Sequence, residues 1–259
     1  MRRVLVLAVV PAVLAACGSG ASSSSHVTLS PVASVKQSAK KTAQATSEHM
    51  TLTASAAVSG QKVVMTGSGR FDNTKKQGDL TMHANVGGLD LPIEAVEDGT
   101  TIYLKSAIFQ AMLPAGKSWL AVDLQKAGKK AGIDFGQLLA QDPAQQLAQL
   151  QAAGDVTDVG SETIDGAPVE HYRARLDLSK LPQGSQIQKL VNPKYQPEDI
   201  YVGKDDGYIH RLHVAYTAQG QAVALLMNFS DFGQVVTVSI PPASETVEAT
   251  NQALKGLGG

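Results

Sequence analysis

The chain contains one thiol, Cys17, directly after Leu14-Ala15-Ala16. A lone exported cysteine has no disulfide partner, and the small side chains of Ala15 and Ala16 leave an extended backbone that a signal peptidase can bind. Six histidines are the other obvious candidates for chemistry. His210 and His213 stand three apart in an expected strand, where side-chain alternation puts them on opposite faces and denies them a shared ion. His26 falls in a Ser-rich segment, His49 at a helix end, His83 on the polar side of its strand and His171 among Glu170, Arg173 and Arg175. They read as solvated positions rather than metal ligands. No Gly-x-Ser-x-Gly elbow occurs, and Asp205-Asp206-Gly207 lacks the later ligands of a calcium loop, so a hairpin turn is expected there. Asn228-Phe229-Ser230 fits a glycosylation sequon but falls inside an expected strand. No catalytic residue, metal site or cofactor is expected.

Upstream of Cys17 stand Arg2 and Arg3, then an apolar run from Val4 to Val13 broken only by Pro11. This is the layout of a secretory signal, and the run is shorter than the about 20 residues a membrane span needs. Together with Leu14-Ala15-Ala16-Cys17 it resembles a bacterial lipobox. That resemblance implies diacylglycerol transfer to the Cys17 sulfur, cleavage between Ala16 and Cys17, and acylation of the new terminus. The alternative is an ordinary secretory signal with a chance cysteine. Each buried methylene of an acyl chain contributes about 0.8 kcal/mol, and two or three chains hold far better than one. With Cys17 acylated no thiol remains for a disulfide, a thiolate metal site or a cysteine nucleophile.

Three segments are therefore expected: residues 1–16 as signal peptide, 17–29 as acylated cysteine and flexible Ser/Gly tether, and 30–259 as one domain. The full chain has 22 Lys+Arg against 23 Asp+Glu, and the net charge becomes −3 once Arg2 and Arg3 leave with the signal. Nucleic acid is an unsuitable partner for such a balance. Aromatics make up 5% of the residues and Trp119 is the sole tryptophan. The interior must then be filled by Val, Leu, Ile, Ala and Met.

Ser30-Pro31 offers an N-cap followed by proline at the first helical position, with a helix expected to about Glu48. From Met50 the period changes from 3.6 to 2. Leu52, Ala54, Met65, Leu80, Met82, Leu91, Ile93, Ile102 and Leu104 alternate with polar residues in successive strands joined by turn sequences. Gly67 and Gly69 suggest a bulge or bend. Ser106 to Leu113 reads as a short helix or turn, and Trp119 to Leu124 as a strand. Helical period returns from Ile133 to about Ala153, with Leu138, Leu139, Leu147 and Leu150 in its apolar stripe. Later strands are expected at 156–163, 169–178, 200–203, 208–216, 222–229 and 235–240, a short helix at 187–191, and a terminal helix from Glu245 to Lys255. The count is ten to eleven strands in an α+β chain.

Four stretches in order resemble the LppX/LprAFG family of actinobacterial lipoproteins, whose fold is similar to the LolA and LolB carriers. They are Ile102-Tyr-Leu-Lys105 leading into Ala115-Gly-Lys-Ser-Trp-Leu-Ala-Val-Asp123; Glu162-Thr-Ile-Asp-Gly166 leading into His171-Tyr172; Tyr201-Val-Gly-Lys-Asp205 leading into Ile209-His-Arg-Leu212; and Phe229-Ser-Asp-Phe-Gly233 closing on Pro241-Pro-Ala-Ser244. The resemblance implies a strongly curved antiparallel sheet, close to half a barrel, with helices packed on its concave face around an apolar cavity. It also implies binding of acylated lipids or lipoglycans and their movement within the envelope, without catalysis. The apolar pattern alone fits a packed core as well as a cavity, and the resemblance favours the cavity.

The cavity lining expected from the strands is Leu52, Met65, Leu80, Met82, Leu91, Ile93, Ile102 and Leu104, facing Leu138, Leu139, Leu147 and Leu150 from the helices. The partners expected are a lipid or lipoglycan ligand, the membrane through Cys17, and an unidentified envelope transporter. A non-catalytic scaffold or sensor lipoprotein with a packed core, binding a protein partner, is the alternative. Replacing Cys17 by Ser is expected to abolish incorporation of radiolabelled palmitate and to shift the protein out of the membrane fraction.

Overall fold

Alternation becomes a sheet only when each strand finds a neighbour in register, and among the described residues twelve strands do. The computed structural model describes residues 29–58, 61–86, 88–110, 113–126, 153–177, 195–218 and 221–250. The chain opens with helix α1, Pro31–Ala43, in which the Ser30 side chain accepts a hydrogen bond from the Ala33 amide at 3.3 Å and Pro31 supplies a pre-set φ. Lys40 and Lys41 lie in its last turn, where cations suit the helix dipole. The helix stops short of Glu48 because Ser47 is already paired with Asp72 in the first strand.

A meander follows: β1 (Ser47–Val58), β2 (Gln61–Asp72), β3 (Gln77–Val86), β4 (Leu89–Asp98) and β5 (Thr101–Ser106). A single helical turn, α2 (Ala107–Gln110), then leads to β6 (Trp119–Asp123). The second meander is β7 (Ala153–Ile164), β8 (Ala167–Asp177), β9 (Tyr195–Gly203), β10 (Ile209–Ala218) and β11 (Gln221–Ser230). Strand β12 (Thr246–Glu248) comes last. The order across the sheet is β12-β6-β5-β4-β3-β2-β1-β11-β10-β9-β8-β7, curved and unclosed. All neighbours are antiparallel except β12, which runs parallel to β6.

Several expectations are corrected. Among the described residues there are twelve strands, where ten to eleven were expected. Val235 to Ile240 is no strand: β11 is hydrogen-bonded to β10 on one side and β1 on the other, so no edge is left for a further hairpin partner. Val236 is buried while Val235 is 97% exposed, so the alternation survives in burial without a ladder. In place of a helix from Glu245, a 3-10 turn at Ala243–Glu245 precedes β12. The glycines of β2 mark no bulge, because the pairing with β1 and β3 is continuous through them. A Cβ on Gly69 would meet the Asp79 carbonyl oxygen at 2.4 Å, so close backbone approach is what requires glycine there. The expected helices at 133–153 and 187–191, and the tail beyond residue 250, lie outside the described residues.

A cluster of buried apolar residues sits where α1 meets the β7–β10 end of the sheet. Val35 of α1 is buried with Tyr172, Ala174, Ile200, Val202 and Ile209. A register shift between Ile209 and Arg211 turns both Ile209 and Leu212 toward this cluster, two residues that strict alternation would place on opposite faces. Replacing the fully buried Ile200 by Ala is expected to cost about 2–5 kcal/mol in urea unfolding. The half-buried Leu104, changed to Ala, is expected to cost clearly less in the same measurement.

Candidate functional site

Directly opposed residues in an antiparallel pair share a face, so the registers can be followed across the sheet row by row. One row runs Val156, Ala174, Glu198, Val214, Leu225, Ala54, Met65, Ala84, Leu91. The next runs Tyr172, Ile200, Leu212, Met227, Leu52, Gly67, Met82, Ile93, Ser106. A third runs Phe229, Met50, Gly69, Leu80, Ala95, Leu104, Leu120. Together they form one apolar face.

Helix α1 covers the β7–β10 end of that face. Toward the β1–β6 side the same face is only half-buried: Leu52, Met65, Leu80, Met82, Leu91, Ile93, Ile102 and Leu104 are all of intermediate exposure. These eight are the strand residues expected to line a cavity, and the registers bring them onto one face across five strands. Leu138, Leu139, Leu147, Leu150, Ala16 and Cys17 lie outside the described residues. Met50, Met227, Leu225 and Leu120 share the face and were not among the candidates, although the alternation of their strands contains the signal.

The face ends in a different kind of row: Glu48, Phe71, Gly78, Glu97, Ile102, Val122. A Cβ on Gly78 would meet the Phe71 ring at 2.4 Å, so that ring lies over the glycine. Burial pushes the Glu48 carboxyl up from its ordinary value. The Glu97 carboxyl is raised in the same way, with the Lys76 charge opposing in part. A third acid, Glu198, stands in the first row. Its carboxyl is pushed up from 4.5 to about 7, chiefly by burial and in part by the neighbouring Asp199 charge. Glu198 was missed because β9 was expected to start at Ile200. The strand starts at Tyr195 and tolerates Pro197 because there it pairs with β8, its pairing with β10 ending at Glu198.

The opposite face of β7–β10 is polar. His171 is 5% exposed, which corrects its reading as a solvated position. Its Nδ1 lies 2.9 Å from Glu162 Oε1 and its Nε2 3.0 Å from Asp199 Oδ1, and its ring stacks on Tyr201 with centroids 4.3 Å apart. Arg173 Nε donates to the same Asp199 oxygen at 2.7 Å. Burial pushes the Asp199 carboxyl up, but the hydrogen bonds from Arg173 and His171 outweigh this and hold it below the usual range. These contacts tie three strands together.

His213 Nδ1 lies 3.6 Å from Asp199, and His210 Nε2 lies 2.9 Å from Asp206. A Cβ on Gly203 would meet the His210 ring at 2.7 Å. Gly203 shares the Tyr201 face, so the register shift brings His210 round to the side of His213. Separate carboxylate partners, rather than opposite faces, keep the two histidines apart. Among the described residues no group of three His, Cys, Asp or Glu side chains is placed to hold a metal ion. Asn228 of the sequon donates to Thr51 Oγ1 and accepts from Arg211 within the sheet.

The raised Glu198 carboxyl has a stability consequence. The folded chain keeps this proton between pH 4.5 and about 7, where the unfolded chain has released it. The native state then binds more protons, so stability falls as pH rises through that window. Replacing Glu198 by Gln is expected to flatten this part of the profile and to raise the urea midpoint at pH 8, with little change at pH 4.

No protein-family profile matches the chain. An uncharacterized 31.2 kDa protein from the rplA-rplJ intergenic region of Streptomyces griseus is 26% identical over 250 residues, covering 88% of this chain and 82% of that one. Among solved structures, lipoprotein LppX of Mycobacterium tuberculosis superposes with a TM-score of 0.52 at 14% identity, covering 81% of this chain and 98% of its own. LprF from Mycobacterium bovis also gives 0.52, at 16% identity, covering 82% and 96%. The chain thus has the fold of lipoprotein LppX and of LprF, the fold implied by the sequence resemblance.

Proposed function

We propose that this chain is an exported lipoprotein, held at the outer face of the cell membrane by acyl groups on Cys17. In this reading it binds acylated lipids or lipoglycans in a cavity over the apolar sheet face and carries them within the envelope. The supporting observation is the half-buried, methionine-bearing expanse from β1 to β6, continuous with a face that α1 covers only at its other end. Flexible methionine side chains adapt to an irregular apolar ligand. The likeness in fold to LppX, which is named as a lipoprotein, and to LprF is consistent with it.

The magnitudes favour a ligand with long chains. Each methylene removed from water contributes about 0.8 kcal/mol, so a chain of a dozen or more methylenes supplies on the order of 10 kcal/mol before ordering costs. A single hydrogen bond adds about 1 kcal/mol net. Affinity would thus come from area, and the few polar groups would select position and headgroup. No catalytic step is part of this proposal.

The test is lipid extraction and mass spectrometry of the protein purified from a related bacterium without detergent. One acylated lipid class at about one molecule per chain is expected, reduced severalfold when Met82 is replaced by Trp, whose ring would occupy space above Gly67. No lipid above background, before or after incubation with envelope lipids, contradicts the carrier reading and favours a scaffold that binds a protein partner.

A further inference from the structure

Glu198 interrupts an otherwise apolar row. Its cross-strand neighbours are Ala174 and Val214, and the next residue of β9 on the same face is the fully buried Ile200. No side-chain hydrogen bond ends on its carboxyl among the described residues. Nor, among them, does any fully buried side-chain oxygen lack a hydrogen-bond partner, so the Glu198 oxygens are not completely covered. Neighbouring charges do not neutralise it. Asp199, Arg173 and Arg175 project from the opposite face of the sheet. On α1, Lys40 is exposed and Lys41 is turned to the Asp206 carbonyl and the Tyr208 ring, which leaves Lys36 as that helix's remaining cation. Of the other acids on this face, Glu48 and Glu97 belong to the row at its far end, Asp158, opposite Tyr172, is exposed, and Glu170, opposite Val202, is paired with Lys204.

A carboxyl among apolar neighbours resists ionisation, and in its neutral form it is a hydrogen-bond donor with nothing to donate to. The complement is an acceptor built into an apolar molecule. An ester carbonyl is such a group, whereas a free carboxylate or phosphate would bring negative charge against the acid. Along the row from β9 to β4 lie six strand spacings, about 29 Å of sheet at about 4.8 Å each.

We propose that Glu198 donates a hydrogen bond to the ester carbonyl of a bound acyl lipid, with the attached chain lying along the row toward Leu225, Met65 and Leu91. This rests on the carrier reading and adds to it a fixed position for the ester. Ionisation of Glu198 removes the donor and sets a charge beside the chain, so loading falls as pH rises.

The experiment uses the whole chain, held by its own anchor on vesicles of dialkyl ether phosphatidylcholine, so that the probe supplies the ester. Transfer to acceptor vesicles is followed for a fluorescent-chain diacylglycerol and for its dialkyl ether analogue. At pH 5.5 the wild type is expected to move the ester about fivefold faster than the ether, a preference of the size one hydrogen bond supports, and to lose most of it at pH 8.5. Glu198→Gln, whose amide still donates, is expected to keep the preference at both pH values. Glu198→Leu is expected to move both probes equally. An ester-to-ether ratio identical in wild type and Glu198→Leu, with both probes still moved, overturns the assignment and leaves the carrier reading standing. A wild type that moves neither probe overturns the carrier reading and this inference with it.

Discussion

The pairing of β1 with β11 makes one sheet of two meanders. Residues 49–56 and 223–230 meet across most of the chain, and their register decides whether the apolar sides of the two halves join or oppose. Leu52 faces Met227 and Ala54 faces Leu225, so the parity is preserved. Side chains alternate with a period of two, and a slip of one residue at this joint would turn the Leu52, Met65 and Met82 side away from the side that α1 covers. Every property of the apolar face follows from that one ladder.

Given the joint, the face divides by what lies over it. Under α1 the side chains are sealed, with Ala174 and Ile200 at 0% exposure. Past β11 they are half-open and more loosely composed, with glycine between larger neighbours: a Cβ on Gly67 would lie 3.1 Å from Met82 Cγ and 3.2 Å from Leu52 Cγ. Nearby side chains have moved into the space a β-carbon would fill. Such a surface supplies area without a rigid shape, which suits chains that differ in length and saturation. Acids also stand on this face, Glu198 within it and Glu48 with Glu97 at one end among them, and in the proposed reading Glu198 gives a polar group a definite location.

Much of this was legible in the sequence because period-two alternation is a local signal. The eight apolar strand candidates fall on one face, and Ser30-Pro31 starts α1 as its residue types dictate. What the sequence concealed was non-local. Val235–Ile240 alternates like a strand, but β1 had taken the only free edge of β11. Thr246–Glu248 gains its strand character from the parallel partner β6, more than a hundred residues earlier. The His210/His213 reading failed on a bulge that shifts parity, and the reading of His171 failed because carboxylates from two other strands close over an imidazole that its own strand leaves exposed. Glu198 stayed hidden behind Pro197, which reads as a strand breaker unless its pairing partners are known.

The central claim is that this face receives acyl chains, and the methionines report on it directly. Four of the six, Met50, Met65, Met82 and Met227, lie on the face. With methionine methyl groups labelled with carbon-13, an acyl lipid bearing a nitroxide near its chain end would be added, and the methyl signals compared before and after reduction of the nitroxide. Broadening of these four signals that reduction reverses is the predicted result. Four signals untouched by the nitroxide would contradict the account.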